Sequence, residues 1–278
     1  MSIEDVILDH DKRGMFNLRP HLPEDFCIKA AHFIEDNPGP AIITTGFYIL
    51  TAGKAETDGP PGAVAIGRAL RTLGREVYYV SDKYTVDVLH GLDGDSSEVI
   101  EFPVCGHSES EKFAKKLVKK LSPSLIISIE RCSVTADGVY RNMRGMDISD
   151  YTAKVDYIFD EQPCSIGIGD GGNEIGMGNL REVISEIDNL PQDPAVTETS
   201  ELLIASVSNW GGLGLVAGLS RVAGRNLLPS RDDEADLIRE SVNLGAVDGM
   251  STKPENKVDS FTIEQDASIL DRLHSIVG

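Results

Sequence analysis

Short apolar runs alternate with longer amphipathic ones along most of this chain, and glycine and proline separate them. Strands are expected over 41–45, 76–81, 99–102, 125–129, 166–169 and 201–206, where the residues are almost continuously apolar or β-branched. Helices are expected over 24–35, 63–73, 85–91, 108–121, 180–190 and 213–222, and two more close the chain at 232–243 and 263–277. The 108–121 segment carries the clearest helical period. Strands with no polar face belong to a sheet covered on both sides. The pattern therefore predicts a three-layer α/β fold, a mostly parallel sheet of about six strands with helices on both faces. The 278 residues read as a single domain, with an N-terminal helical extension over about 1–38 and no linker or repeat.

In open parallel sheets ligands bind beyond the carboxyl ends of the strands, so the residues just after each run locate the chemistry. The most telling is Gly167-Ile168-Gly169-Asp170-Gly171-Gly172-Asn173-Glu174-Ile175-Gly176-Met177-Gly178, where an apolar strand delivers Asp170 onto a backbone that glycine alone follows freely. A solvated turn needs no such density of acids and amides. The run also satisfies G-x-G-x-x-G, but Asp170 between the glycines would repel a diphosphate. An acid there suits a divalent cation, an ammonium group or proton transfer.

Other strand ends are equally polar. Glu56-Thr57-Asp58-Gly59-Pro60-Pro61-Gly62 opens a helix with prolines where the first turn needs no N–H, and presents Glu56 and Asp58 on a rigid loop. Its plain alternative is a helix cap with dipole-favoured acids. The long polar segment from Glu130-Arg131 to Asp147 reads as a binding loop in which Tyr140, Asn142 and Arg144 alternate on one face. Ser208-Asn209-Trp210-Gly211-Gly212 offers Asn209 as a ligand contact, while the lone Trp210 is expected to pack. These loops should meet on one edge of the sheet. Glu56, Asp58, Asp170 and Glu174 are the expected holders of a divalent metal, Mg²⁺ or Mn²⁺, because such acids would otherwise repel one another in a partly buried cleft.

Charge narrows the partners. A formal charge of -19, from 45 acids against 26 bases, opposes nucleic acid and anionic membranes, leaving a small-molecule substrate as the expected partner and a homo-oligomer open. Lys112, Lys115, Lys116, Lys119 and Lys120 have helical spacing and form a solvated face. Mean hydropathy is -0.13, no run approaches a membrane span, and the acidic start Met1-Ser2-Ile3-Glu4-Asp5 lacks a secretory signal, so the cytoplasm is the expected compartment. Cys27, Cys105, Cys132 and Cys164 are scattered and read as reduced thiols. No histidine motif, serine elbow or Walker loop is present.

Four blocks in order, namely 56–62, Ala136-Asp137-Gly138 with Asn142-Met143-Arg144-Gly145, 167–178, and Ser208-Asn209-Trp210-Gly211, resemble the D-glutamate cyclase C-terminal-domain family over roughly residues 40–260. The resemblance implies a lyase that closes D-glutamate to 5-oxo-D-proline with loss of water. It assigns Asp170, Glu174 and Asp58 to catalysis. Arg144, Asn142, Asn173, Asn209, Asp137, Gly171 and Gly172 are then the substrate contacts, with Arg144 on the α-carboxylate. The same acidic edge also suits a metal-dependent phosphohydrolase or a non-catalytic sensor of cations or amino acids.

Overall fold

The computed structural model describes residues 1–93 and 96–278. In chain order the strands are β1 (Ala41–Thr45), β2 (Tyr48–Ile49), β3 (Lys54–Ala55), β4 (Val77–Ser81), β5 (Glu98–Glu101), β6 (Leu125–Ile129), β7 (Ser165–Gly169), β8 (Glu201–Ile204), β9 (Lys257–Val258) and β10 (Phe261–Thr262). The helices are α1 (Ile3–Ile7), α2 (Phe26–Asp36), α3 (Pro60–Thr72), α4 (Val86–Asp93), α5 (His107–Leu121), α6 (Asp156–Glu161), α7 (Arg181–Ile184), α8 (Ser208–Ala223), α9 (Arg231–Asn243) and α10 (Ile263–Val277). Six strands pair, all in parallel, in the order β5-β4-β1-β6-β7-β8. β2–β3 and β9–β10 are separate antiparallel pairs.

The apolar strand sequences explain the layers. β1 and β6 are buried throughout, because both faces of each are covered. On one face Ile43, Ile127, Ile129, Ile166 and Ile168 pack with residues of α1, α2, α3, α8, α9 and α10. On the other, Ile42, Val80 and Ile126 meet Ala114, Leu117 and Leu121 of α5 and Ile158 and Phe159 of α6. The N-terminal segment lies in the first of these cores, with Val6, Ile7 and Phe26 fully enclosed.

The chain lays β1, β4 and β5 outward in one direction, then returns to place β6 on the other side of β1. This reversal opens a crevice at the carboxyl ends of β1 and β6. Arg131, just past β6, stitches that end together. Its guanidinium pairs with Asp82 beyond β4 at 2.6 Å and donates to the Gly46 carbonyl beyond β1 at 2.8 Å.

Three expectations change. The helix expected over 180–190 is a 3-10 turn (Met177–Leu180) followed by the single turn of α7, because Asn179 binds both the Thr199 N–H and carbonyl and Asp188-Asn189 favour turns over helix. α8 begins at Ser208, five residues before its expected start, so the Ser208-Asn209-Trp210 block is a first helical turn. α1 and α6, too short for a periodic signal, were absent from the pattern. No described helix is long and apolar enough to cross a membrane.

Candidate active site

Glu56 and Asp58 precede α3, Glu130 directly follows β6, Asp170 and Glu174 follow β7, and Asp259 lies between β9 and β10. All six are buried. One oxygen each from Asp58, Asp170 and Asp259 lie within 4.8 Å of one another, and so do oxygens of Glu130, Asp170 and Glu174. Arg13 is the base that reaches them, paired with Asp170 and, at 2.6 Å, with Asp259.

Backbone donors hold several of these carboxylates. Asp58 accepts from the N–H groups of Asn209 (2.7 Å) and Ser208 (2.9 Å), the unpaired donors at the start of α8, and from Gly59 at 3.0 Å. Ser208 Oγ donates to Glu130 at 2.6 Å, and the Gly172 N–H donates to Glu174 at 2.8 Å. Glu130 has a left-handed φ of 44°, and Asp259 one of 50°, a strain that concentrates where geometry is imposed on a site. Burial, reinforced by the neighbouring acids, pushes Glu56 and Glu130 well above the usual carboxylate range. It does the same to Asp170 against the opposing pull of Arg13, and raises Asp58 to about 7 despite its backbone donors. Glu174 is raised by burial as well.

The cluster forms the floor of a half-open cleft. Arg13, Glu56, Glu130, Asp170, Asn173 and Asp259 face it from below, Phe47 to Leu50 with Met143, Met146 and Met250 make an apolar wall, and Asn142 and Arg144 stand on the rim. Asn173 Oδ1 is buried without a hydrogen-bond partner, while its amide nitrogen donates to the Arg141 carbonyl at 3.0 Å. A Cβ placed on Gly171 would lie 2.8 Å from Glu174 Oε1 and 3.0 Å from Asn173 Oδ1, so both oxygens face one small cradle. An unpartnered amide oxygen beside crowded carboxylates fits a hard divalent cation such as Mg²⁺ or Mn²⁺.

The structure brings Glu56, Asp58, Asp170 and Glu174 together, as expected, and places Asn142, Arg144 and Asn173 on the same cleft. Asn209 goes elsewhere. Its Oδ1 accepts from Gly59 and Gly62, both at 2.9 Å, and its Nδ2 donates to the Thr57 carbonyl at 3.1 Å, which fixes the loop before α3. Asp137 lies at the surface, bound to Thr135 and Arg141, because the 130–147 segment folds back on itself and carries that tip away from the cleft. Tyr140 likewise turns inward to Asp156, at 2.6 Å. Gly171 and Gly172 contribute space and an N–H donor. Trp210 is buried and donates to Asp266.

Sequence reasoning missed Arg13 and Asp259, and it put Glu130 at the start of the 130–147 binding loop without counting it among the site residues. Glu130 had a signal, an acid directly after a fully apolar run. Arg13 and Asp259 had none, since they lie in short aperiodic segments that follow no strand of the parallel sheet.

The sequence model of a family described as D-glutamate cyclase-like, C-terminal, matches residues 3–274. Human mitochondrial D-glutamate cyclase is 32% identical over 238 residues, an alignment that takes in 78% of this chain and 38% of the human protein. The chain thus corresponds to well under half of that relative. Among solved structures, ligand-free aldohexose dehydrogenase of Thermoplasma acidophilum aligns over 87% of this chain and 88% of its own, with a TM-score of 0.30 and 12% identity.

Proposed function

We propose, because this chain belongs to the D-glutamate cyclase-like C-terminal family, that its cleft is the active site of a carbon–oxygen lyase that closes D-glutamate to 5-oxo-D-proline and water. One observation carries the reading: a cluster of buried carboxyls with raised pKa values, opening on a cleft with an apolar wall and a few polar groups.

Ring closure joins the α-nitrogen to the side-chain carboxyl carbon and breaks a carbon–oxygen bond of that carboxyl. The substrate ammonium must shed two protons, and the departing oxygen must gain two. A carboxyl whose pKa burial has raised serves both needs, accepting from nitrogen and donating to oxygen. Asp170 and Glu130 face the cleft and would carry this exchange, with Glu174 and Asp58 beside them adjusting charge. Arg144 on the rim takes the α-carboxylate, and Asn173 orients the reacting end. The apolar wall of Phe47, Met143 and Met250 excludes water from the forming lactam and matches its methylene edge.

The Glu130, Asp170 and Glu174 oxygens with Asn173 Oδ1 are the donors that would hold a divalent cation. Bound there, such an ion supplies Lewis-acid polarisation of the substrate carboxylate.

Incubating the protein with D-glutamate and Mn²⁺, with L-glutamate as the control, and separating products by chromatography tests the reading. 5-Oxoproline from the D-enantiomer alone is the expected result. No product from either, with folded protein, overturns it.

A further inference from the structure

The two groups of carboxylates overlap on Asp170. Two sets of hard oxygen donors sharing one carboxylate are what a pair of divalent ions requires, the ions standing roughly 3.5–4 Å apart. Only one set is open. The Glu130, Asp170 and Glu174 set is accompanied by the buried, unpartnered Asn173 Oδ1. In the Asp58, Asp170 and Asp259 set, two of the three acids are already paired with the Arg13 guanidinium.

We infer that Arg13 is a built-in cation that takes the second of two cation positions sharing Asp170, so that the protein binds one divalent ion where its carboxylates alone would bind two. The inference rests on the metal reading of the preceding section.

Both partners are delivered by anchored loops. Asp11 accepts from the N–H groups of Arg13 (3.0 Å), Gly14 (2.9 Å) and Phe16 (2.9 Å), and Gly14 turns the chain with a φ of 97°. Across from it, Asp259 and Ser260 both hold left-handed φ values, of 50° and 68°, and the Ser260 N–H is fixed to Asp248 at 2.7 Å. Left-handed backbone at two successive non-glycine residues is costly and persists only where the surroundings impose it. Here it aims a carboxylate at a guanidinium. The choice of arginine is physical as well. Its planar fork spans two carboxylates, its charge is permanent, and a chelator cannot remove it. A guanidinium is no Lewis acid, so the chemistry stays with a single ion.

The test is Mn²⁺ titration by calorimetry with electron paramagnetic resonance of the loaded protein, for wild type, Arg13→Ala, Arg13→Lys and the double variant Arg13→Ala with Asp259→Asn. Wild type and Arg13→Lys should bind one ion with an uncoupled spectrum. Arg13→Ala should bind two with a spin-coupled spectrum, and the double variant should return to one. If Arg13→Ala does not fold in the absence of metal, Arg13→Gln, which keeps the stem without the charge, replaces it. A folded Arg13→Ala or Arg13→Gln protein that still binds one ion, or a wild type that binds two, overturns the inference while leaving the metal reading intact. A folded wild type that binds none overturns both.

Discussion

At the scale of the residue, Asp170 occupies a place that penalises its charge, and Arg13 offsets only part of that penalty. Asp170→Asn keeps the shape and removes the ionisable group, so turnover of D-glutamate should fall by roughly a hundredfold or more, measured as kcat with metal saturating. Arg144→Lys should instead raise KM with kcat nearly unchanged, because a point charge replaces a bidentate fork at the cleft rim. The contrast between these two variants on one substrate separates proton transfer from binding. Gly171 bears on neither directly. In Gly171→Ala the added methyl would meet Met143 Sδ at 2.7 Å and the Glu174 and Asn173 oxygens at 2.8 and 3.0 Å, filling the cradle. Mn²⁺ affinity measured by calorimetry should drop roughly tenfold or more, as when the surroundings of a metal ligand are disturbed.

At the scale of the element, the start of α8 joins the fold to the site. Its first backbone N–H groups hold Asp58, its Ser208 hydroxyl holds Glu130, and the Asn209 side chain clips the loop that carries Glu56 and Asp58. Trp210, one residue on, is tied to Asp266 of α10. Asn209→Ala would leave the Gly62 N–H and the Thr57 carbonyl without their partner, while the Gly59 N–H keeps Asp58, and this costs about 3 kcal/mol by the usual penalty for unsatisfied groups. A lowered denaturation midpoint with an unchanged slope would register that loss. If Asn209 acted only as a ligand contact, stability would stay at the wild-type value and KM alone would rise.

At the scale of the whole molecule, the acid cluster sets how stability depends on pH. Burial places the folded pKa of Asp58 at about 7, against an unfolded value near 3.8, and the shifts of Glu56, Glu130 and Asp170 run the same way. The folded state then retains protons that the unfolded state releases, so stability falls as pH rises between these values. For Asp58 alone the loss is on the order of 4 kcal/mol once pH passes 7. Metal-free protein should therefore melt at a lower temperature at pH 8 than at pH 5. Saturating Mn²⁺, which favours the ionised carboxylates, should reduce or reverse the difference. A melting temperature that rises over this interval without metal would contradict the direction of these shifts.

The sequence by itself determined the alternation of strands and helices, the parallel sheet with both faces covered, and the importance of the turn at Asp170. Those features follow from local periodicity and from glycine placement, each legible in a few consecutive residues. It also supplied Glu56, Asp58 and Glu174, since acids crowded beside glycine and proline mark a loop under constraint. Only the tertiary structure decided which strand ends adjoin, because a period records that a face is buried and not which neighbour covers it. Arg13 and Asp259 stand 246 positions apart and meet because β1 and β6 open a crevice that both terminal segments reach. Asn209 shows the converse, an amide at a promising strand end that the early start of α8 turns into a structural clip. Position along the chain identified acids at the edge of a sheet, and their packing against one guanidinium gave that edge its chemistry.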